Sequence, residues 1–220
     1  MPEKSRSHII VQLRTKSAMS KIGIMGGTFD PIHLAHLAMA RSALCQKNLD
    51  QVWFMPSKHP PHKDSSRISD EKLRSLLVQL AVKEEKEFVY SDYELKREEI
   101  TYTAKTLTML RKEYPADEFF FILGEDSLAQ LDQWYHPEII LSHAVILAVN
   151  RGNISLEEME RQAGTLTDKY GGTIEVIPMK RLDISSSMIR KKLAAGEDVK
   201  DMLPKSVYEY ICTHQCYRVG

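Results

Sequence analysis

The chain has 220 residues, 43% of them hydrophobic and 27% charged, and its 30 basic and 30 acidic side chains give a formal net charge of zero. That length holds one full hydrophobic core at typical domain sizes of about 100–200 residues, and the charge balance removes the broad attraction expected of a nucleic-acid binder. No apolar stretch approaches the ~20 residues of a membrane span, and three cysteines, Cys45, Cys212 and Cys216, are too few for a disulfide framework and suit a reducing, cytoplasmic setting.

Residues 1–20 differ from the rest. The apolar run 9–13 is too short for a secretory segment, although Lys4, Arg6, Arg14 and Lys16 surround it. A flexible extension without catalytic residues is expected there, or an initiator at Met19, with 21–220 forming a single domain. Residues 22–25 fit a buried strand and 34–40 a helix. A second strand spans 51–55 and ends at Pro56. Ser69 reads as the cap of a helix to about Val82, with Leu73, Leu76, Leu77 and Leu80 on its apolar face. A short strand follows at 88–90 and a helix at 103–112, ended by Pro115. Residues 119–123 are the clearest buried strand. Then come a strand at 144–149, a helix at 155–170, a strand at 173–177 and a terminal helix with Pro204 at its first turn. This alternation predicts an α/β fold, a Rossmann-like parallel sheet with helices on both faces and a small C-terminal helical portion. Ligands of such sheets bind beyond the carboxyl ends of the strands, where Gly26, Gly27 and Gly124 fall.

The segment 26–36, GGTFDPIHLAH, carries the most chemistry. A strand that delivers a glycine pair to a helix start has a phosphate-binding geometry: the backbone can approach an anion and the first helical N–H groups are free to face it. His33 and His36 lie three apart and project from one face. Neither GxxxxGK[ST] nor GxGxxG is present, so P-loop and dinucleotide-dehydrogenase readings lose their support. Far along the chain, Ile184-Ser185-Ser186-Ser187-Met188-Ile189-Arg190 opens another helix, with Leu193 continuing the apolar face of Ile189 and Gly196 as its stop. Taken alone this is an ordinary capped basic helix. Beside the first segment, its hydroxyls, helix N-terminus and guanidinium read as a triphosphate clamp.

Together GGTFDPIHLAH and ISSSMIR resemble the paired HxGH and ISSSxIR signatures of the nucleotidyltransferase superfamily, with Ala35 in place of the usual glycine. Within it, the chain resembles the nicotinate mononucleotide adenylyltransferase family over about residues 21–217. Pro60-Pro61-His62-Lys63 is by itself a proline-stiffened basic loop, and His59 and His62 could suggest a metal. The resemblance ties it to the mononucleotide pocket, with His62 and Lys63 on the acceptor phosphate. Thr103, in Thr101-Tyr102-Thr103, reads as a simple helix cap, and the resemblance adds contact with the pyridine carboxylate. Asp126, in Gly124-Glu125-Asp126-Ser127, either charges a helix start or faces the nucleotides. Trp134, before Tyr135, is a core or hinge residue on sequence alone and a wall for the pyridine ring by resemblance.

The resemblance implies adenylyl transfer from ATP to nicotinate mononucleotide, giving nicotinate adenine dinucleotide and pyrophosphate. It makes His33, His36 and Arg190 catalytic, and Gly26, Gly27, Thr28, Phe29, Ser186, Ser187, Gly124 and Asp126 the ATP and phosphate site. His62, Lys63, Thr103 and Trp134 then hold the mononucleotide. Mg²⁺ is expected with ATP rather than on protein ligands, and Cys212, His214 and Cys216, three soft ligands without a fourth, make a weak zinc case. The partners implied are these two small molecules, with no nucleic acid or membrane and a homo-oligomer left open. A pantetheine-phosphate adenylyltransferase or a catalytically inactive nucleotide-binding regulator are the competing readings.

Overall fold

Residues 119–123, FFFIL, are apolar without alternation, which demands cover on both faces of a strand. The computed structural model of the chain, which describes residues 19–58, 68–98 and 100–217, supplies that cover. Six parallel strands, β1 Lys21–Gly27, β2 Gln51–Pro56, β3 Phe88–Tyr90, β4 Glu118–Gly124, β5 Val145–Asn150 and β6 Ile174–Pro178, form one sheet in the order β3-β2-β1-β4-β5-β6. The helices are α1 Leu34–Lys47, α2 Glu71–Val82, α3 Thr103–Glu113, α4 Glu125–Gln130, α5 Pro137–His143, α6 Leu156–Tyr170, α7 Ser186–Ala194 and α8 Lys205–Thr213.

Successive side chains of β4 serve opposite cores, as the two-residue period of a strand requires. Phe120 and Ile122 join Leu37 and Ala40 of α1, Leu77 and Val78 of α2, Ile189 of α7 and Val207 of α8. Phe119, Phe121 and Leu123 join Leu107 of α3, Leu128 of α4, Ile140 of α5 and Met159 of α6. The expected α/β sheet with helices on both faces is what forms.

Several local expectations need correction. Asp70, not Ser69, caps α2, accepting the Lys72 N–H at 2.8 Å. Ser69 instead donates its backbone N–H to Asp30 Oδ2 at 3.2 Å. The buried face of α2 is Leu77, Val78, Ala81 and Val82 with Arg74, so Leu76 falls beside it and Leu73 and Leu80 are only partly buried. Tyr102 is the cap residue of α3 and Thr103 its first helical residue, with no side-chain cap bond. Pro204 precedes α8 as its cap residue rather than sitting inside the first turn. The helix start read at Asp126 is α4, of six residues, while α5, of seven, has no counterpart in the sequence reading, because fewer than two turns carry no readable periodicity. Pro137, at the first position of α5, was the available signal.

Arg74 explains why its helix face turned. It is 1% exposed, and its guanidinium donates to three backbone carbonyls: Thr28 at 2.7 Å, Ser57 at 2.9 Å and Ser69 at 3.1 Å. One side chain thereby joins the segment after β1, the segment after β2 and the entry to α2. Because a buried carbonyl without a donor is costly, Arg74→Met is expected to lower unfolding stability by about 3–5 kcal/mol. Urea denaturation followed by circular dichroism checks this, and a loss below about 1 kcal/mol, the net worth of a typical hydrogen bond, would show that the carbonyls find other partners.

Candidate active site

Strand pairing locates the cleft. β1 stays in register with β2 as far as Gly27 opposite Pro56, but with β4 only as far as Ile24 opposite Phe121. Beyond that point the central strands part, and between their carboxyl ends lies a cleft of about 490 Å³. It is lined by Gly26, Gly27, Thr28, Phe29, His33 and His36 from the first motif and by Ser186, Ser187 and Arg190 from the second. Gly124, Asp126, Thr103 and Trp134 complete the wall. Residues drawn from more than 160 positions of sequence therefore meet in one cavity. His62 and Lys63 lie outside the described residues, as does the leader through residue 18.

The turn after β1 is backbone-strained. Phe29 has φ +50°, a left-handed conformation uncommon for a bulky residue, and its ring stands edge-on to His36 with centroids 5.1 Å apart. His33 and His36 stack at 3.7 Å with 26° between their planes. The His33 backbone N–H donates to His36 Nδ1 at 3.3 Å, which assigns the proton of a neutral His36 to Nε2. His33 is 3% exposed, and burial first, then the charge of Arg151, lowers its pKa from 6.5 to about 3. Its ring is therefore neutral near pH 7, and its buried Nδ1 has no hydrogen-bond partner among the described residues.

The second motif is fastened to the first. Ser185 is the cap of α7, accepting the Met188 N–H at 3.2 Å. Ser186 Oγ donates to the Pro31 carbonyl at 2.9 Å, and Arg190 Nη1 to the Asp30 carbonyl at 2.5 Å. The N-terminus of α7 thus opens on the cleft beside the histidine pair, with Ser187 and Arg190 on the same wall.

Arg151 is a cleft residue with no counterpart in the sequence reading. It directly follows β5, lines the cavity, and bonds Asp126 Oδ2 through Nη2 at 2.5 Å. Its Nε lies 3.8 Å from the buried carboxylate of Glu125, which also accepts from Asn153 Nδ2. A cation immediately after a parallel strand was the signal, since the carboxyl ends of β1 and β4 had already been assigned to ligand binding. Asp126 charges the helix start as one of its readings has it, lying in the first turn of α4, and it also lines the cleft.

The other end of the cleft is aromatic and carries a buried acid. Trp134 packs edge-on to Phe121 at 6.1 Å, and Tyr135 lies 4.4 Å from the ring of Tyr102, just before α3. Glu94, 7% exposed, lines the cavity and accepts Thr106 Oγ1–H at 2.8 Å, and Arg97 Nη1 donates to the same Thr106 oxygen at 3.2 Å. Burial pushes the Glu94 carboxyl up from 4.5 to about 7, against the opposing effects of Thr106, Arg97 and Thr101.

Among the described residues no three histidine, cysteine or acidic side chains converge as a metal site. His214, of the Cys212–Cys216 stretch, stacks on Tyr210 at 4.0 Å. No helix among them is long and apolar enough to cross a membrane.

The chain is similar to known proteins in sequence and in fold. A profile described as Cytidylyltransferase-like matches residues 24–192. The probable nicotinate-nucleotide adenylyltransferase of Lachnoclostridium phytofermentans is 40% identical over 199 residues, covering 90% of this chain and 100% of that protein. That of Carboxydothermus hydrogenoformans is also 40% identical, over 201 residues, covering 91% and 100%. The structure of Plasmodium falciparum nicotinic acid mononucleotide adenylyltransferase complexed with NaAD superposes with a TM-score of 0.73 at 22% identity, covering 90% of this chain and 97% of the other.

Glu94 makes a prediction for stability against pH. Its folded pKa lies above its ordinary value, so its contribution is fully present below about pH 4.5 and is lost as pH rises through about 7. Glu94→Gln removes the ionisation and should therefore gain on the wild type from pH 5 to pH 8, by on the order of 3 kcal/mol. Melting curves at the two pH values check it, and a stability difference independent of pH would contradict a buried, proton-binding Glu94.

Proposed function

The chain belongs to the nicotinate-nucleotide adenylyltransferase family, and from that membership we propose the reaction its cleft performs: transfer of the adenylyl group of ATP to nicotinate mononucleotide, releasing pyrophosphate. The observation that carries this reading is the meeting, in one cleft, of a histidine pair and a serine–arginine helix start at one end with Trp134 and the start of α3 at the other. The first set suits phosphates and the second a flat, carboxylated ring.

The acceptor's 5′-phosphate, a monoester with a second pKa of about 6, is mostly dianionic near neutrality and needs no general base. One of its oxygens attacks the α-phosphorus of ATP, a new P–O bond forms, and the bond from the α-phosphorus to the bridging oxygen breaks with pyrophosphate as the leaving group. The protein contributes alignment and stabilisation of charge on the phosphoryl oxygens. His36 donates through Nε2 and His33 as a neutral imidazole to the reacting phosphates, while Arg190, Ser186 and Ser187 receive the β- and γ-phosphates at the start of α7. Gly26, Gly27, Thr28 and Phe29 bring backbone close to the nucleotide. Mg²⁺ would come with the triphosphate, with few protein ligands of its own. When bound it neutralises phosphate charge. Thr103 and the open N–H groups of α3 favour the pyridine carboxylate over a carboxamide, and Trp134 walls the ring. Three free cysteines suit a cytoplasmic enzyme.

The reaction is tested by pyrophosphate release with Mg-ATP and either nicotinate or nicotinamide mononucleotide, with the dinucleotide identified. Preference for the acid is expected. Equal use of both would remove Thr103 and α3 from selection, and tight ATP binding without turnover would favour a nucleotide-binding regulator. His36→Ala should lower kcat by about 10²–10³-fold, as loss of a transition-state donor does, with little change in mononucleotide affinity; equal losses in both would deny it that role. Trp134→Ala should raise the mononucleotide KM by about three- to tenfold, the worth of one aromatic contact, and an unchanged KM would remove it from the ring site.

A further inference from the structure

Asp30, between the strained Phe29 and the histidines, has a role that the reaction itself leaves unexplained. It is buried, and its carboxylate is held by donors from two remote segments: the Ser69 backbone N–H reaches Oδ2 at 3.2 Å and the Tyr217 hydroxyl reaches Oδ1 at 2.9 Å. Arg190 hydrogen-bonds to the carbonyl of the same residue, and its Nη1 lies 3.9 Å from Asp30 Oδ2. A triphosphate that takes Arg190 must compete with this carboxylate for the guanidinium. Any donor that satisfies Asp30 from another direction weakens its hold on Arg190 and eases that exchange.

Tyr217 is built to be that donor. After α8 the backbone turns through two left-handed residues, Gln215 with φ +51° and Tyr217 with φ +64°, conformations that non-glycine residues rarely adopt. The turn delivers the Tyr217 ring against the core shared by α1, α2, α7 and α8 and its hydroxyl to a carboxylate 187 positions earlier. Burial, then the charge of Asp30, raises the phenol pKa, so the hydroxyl stays protonated. Burial lowers the pKa of Arg74, and the charge of Asp30 opposes that effect.

Resting on the reading of the cleft as an ATP site, we propose that Tyr217 is a positioning residue for triphosphate binding, acting through Asp30 to leave Arg190 available. Tyr217→Phe keeps the packed ring and removes only the hydroxyl. Calorimetric titration with Mg-ATP should then show affinity weakened about three- to tenfold, the range of one net hydrogen bond. The ATP KM should rise in parallel, while kcat and the mononucleotide KM stay within about twofold. In an Asp30→Asn background, where the carboxylate charge is absent, adding Tyr217→Phe should change ATP affinity by less than about twofold. Unaltered or improved ATP affinity in Tyr217→Phe overturns the proposal. So does equal weakening of both substrates, which marks a general packing defect, or a full additional loss on top of Asp30→Asn. Because calorimetry reads ATP binding without turnover, a wild-type chain that binds ATP but transfers no adenylyl group refutes the proposed reaction and leaves the Tyr217 comparison decisive. A wild-type chain that binds no ATP overturns both.

Discussion

Everything in the cleft depends on the parting of two central strands. In a parallel sheet of order β3-β2-β1-β4-β5-β6, the chain winds outward from β1 in one direction and from β4 in the other, so the connections that follow these strands leave to opposite faces. Between them is a crevice that no crossover helix fills. Here β1 remains bonded to β2 through Gly27 while its pairing with β4 stops at Ile24. The exposed ends of the central strands supply the floor, and the helix starts that follow them supply oriented N–H groups. Few side chains are needed to make such a place receptive to phosphate.

The side chains that are present form a graded electrostatic arrangement. Arg74 is buried among backbone carbonyls and fixes shape. Arg151, anchored by Asp126 and Glu125, stands at the cleft wall and contributes to keeping His33 neutral. Arg190 is the most weakly committed of the three, 37% exposed at its side chain and bonded to a carbonyl. A guanidinium held by one carbonyl and a carboxylate 3.9 Å away is easier to transfer to a ligand than one locked in a bidentate pair, because a weaker set of interactions is exchanged. Cations with different duties thus differ in what already holds them.

The sheet, its faces and most of the cleft were legible in the sequence because strand runs such as FFFIL and motifs such as GGTFDPIHLAH are contiguous. A motif that lies within one strand–turn–helix unit has its geometry set locally. The errors fell where the deciding partner is distant. Helical periodicity at α2 placed Leu76 inside and left Arg74 out, since nothing local indicates that three carbonyls from other segments await a donor. Ser69 and Asp70 are equally good caps on local chemistry, and what takes Ser69 out of that role is Asp30, 39 residues away. Arg151 belongs to no motif, although its place directly after β5 follows from the strand pattern. Glu94 illustrates a further limit, because a burial that moves a carboxyl pKa to about 7 is made by packing and not by neighbours in sequence.

The ties between Ser186 and Pro31 and between Arg190 and Asp30 also order events during synthesis. The first motif emerges early from the ribosome, yet β1 lacks its β4 partner until residue 118 and α7 is about 150 residues behind. Such long-range closures are entropically expensive and form late. A nascent chain can therefore own the histidine pair, and even much of the sheet, for most of its translation without owning a nucleotide site. The cleft is walled on all sides only after α7 docks, so incomplete chains carry the first motif without its partner.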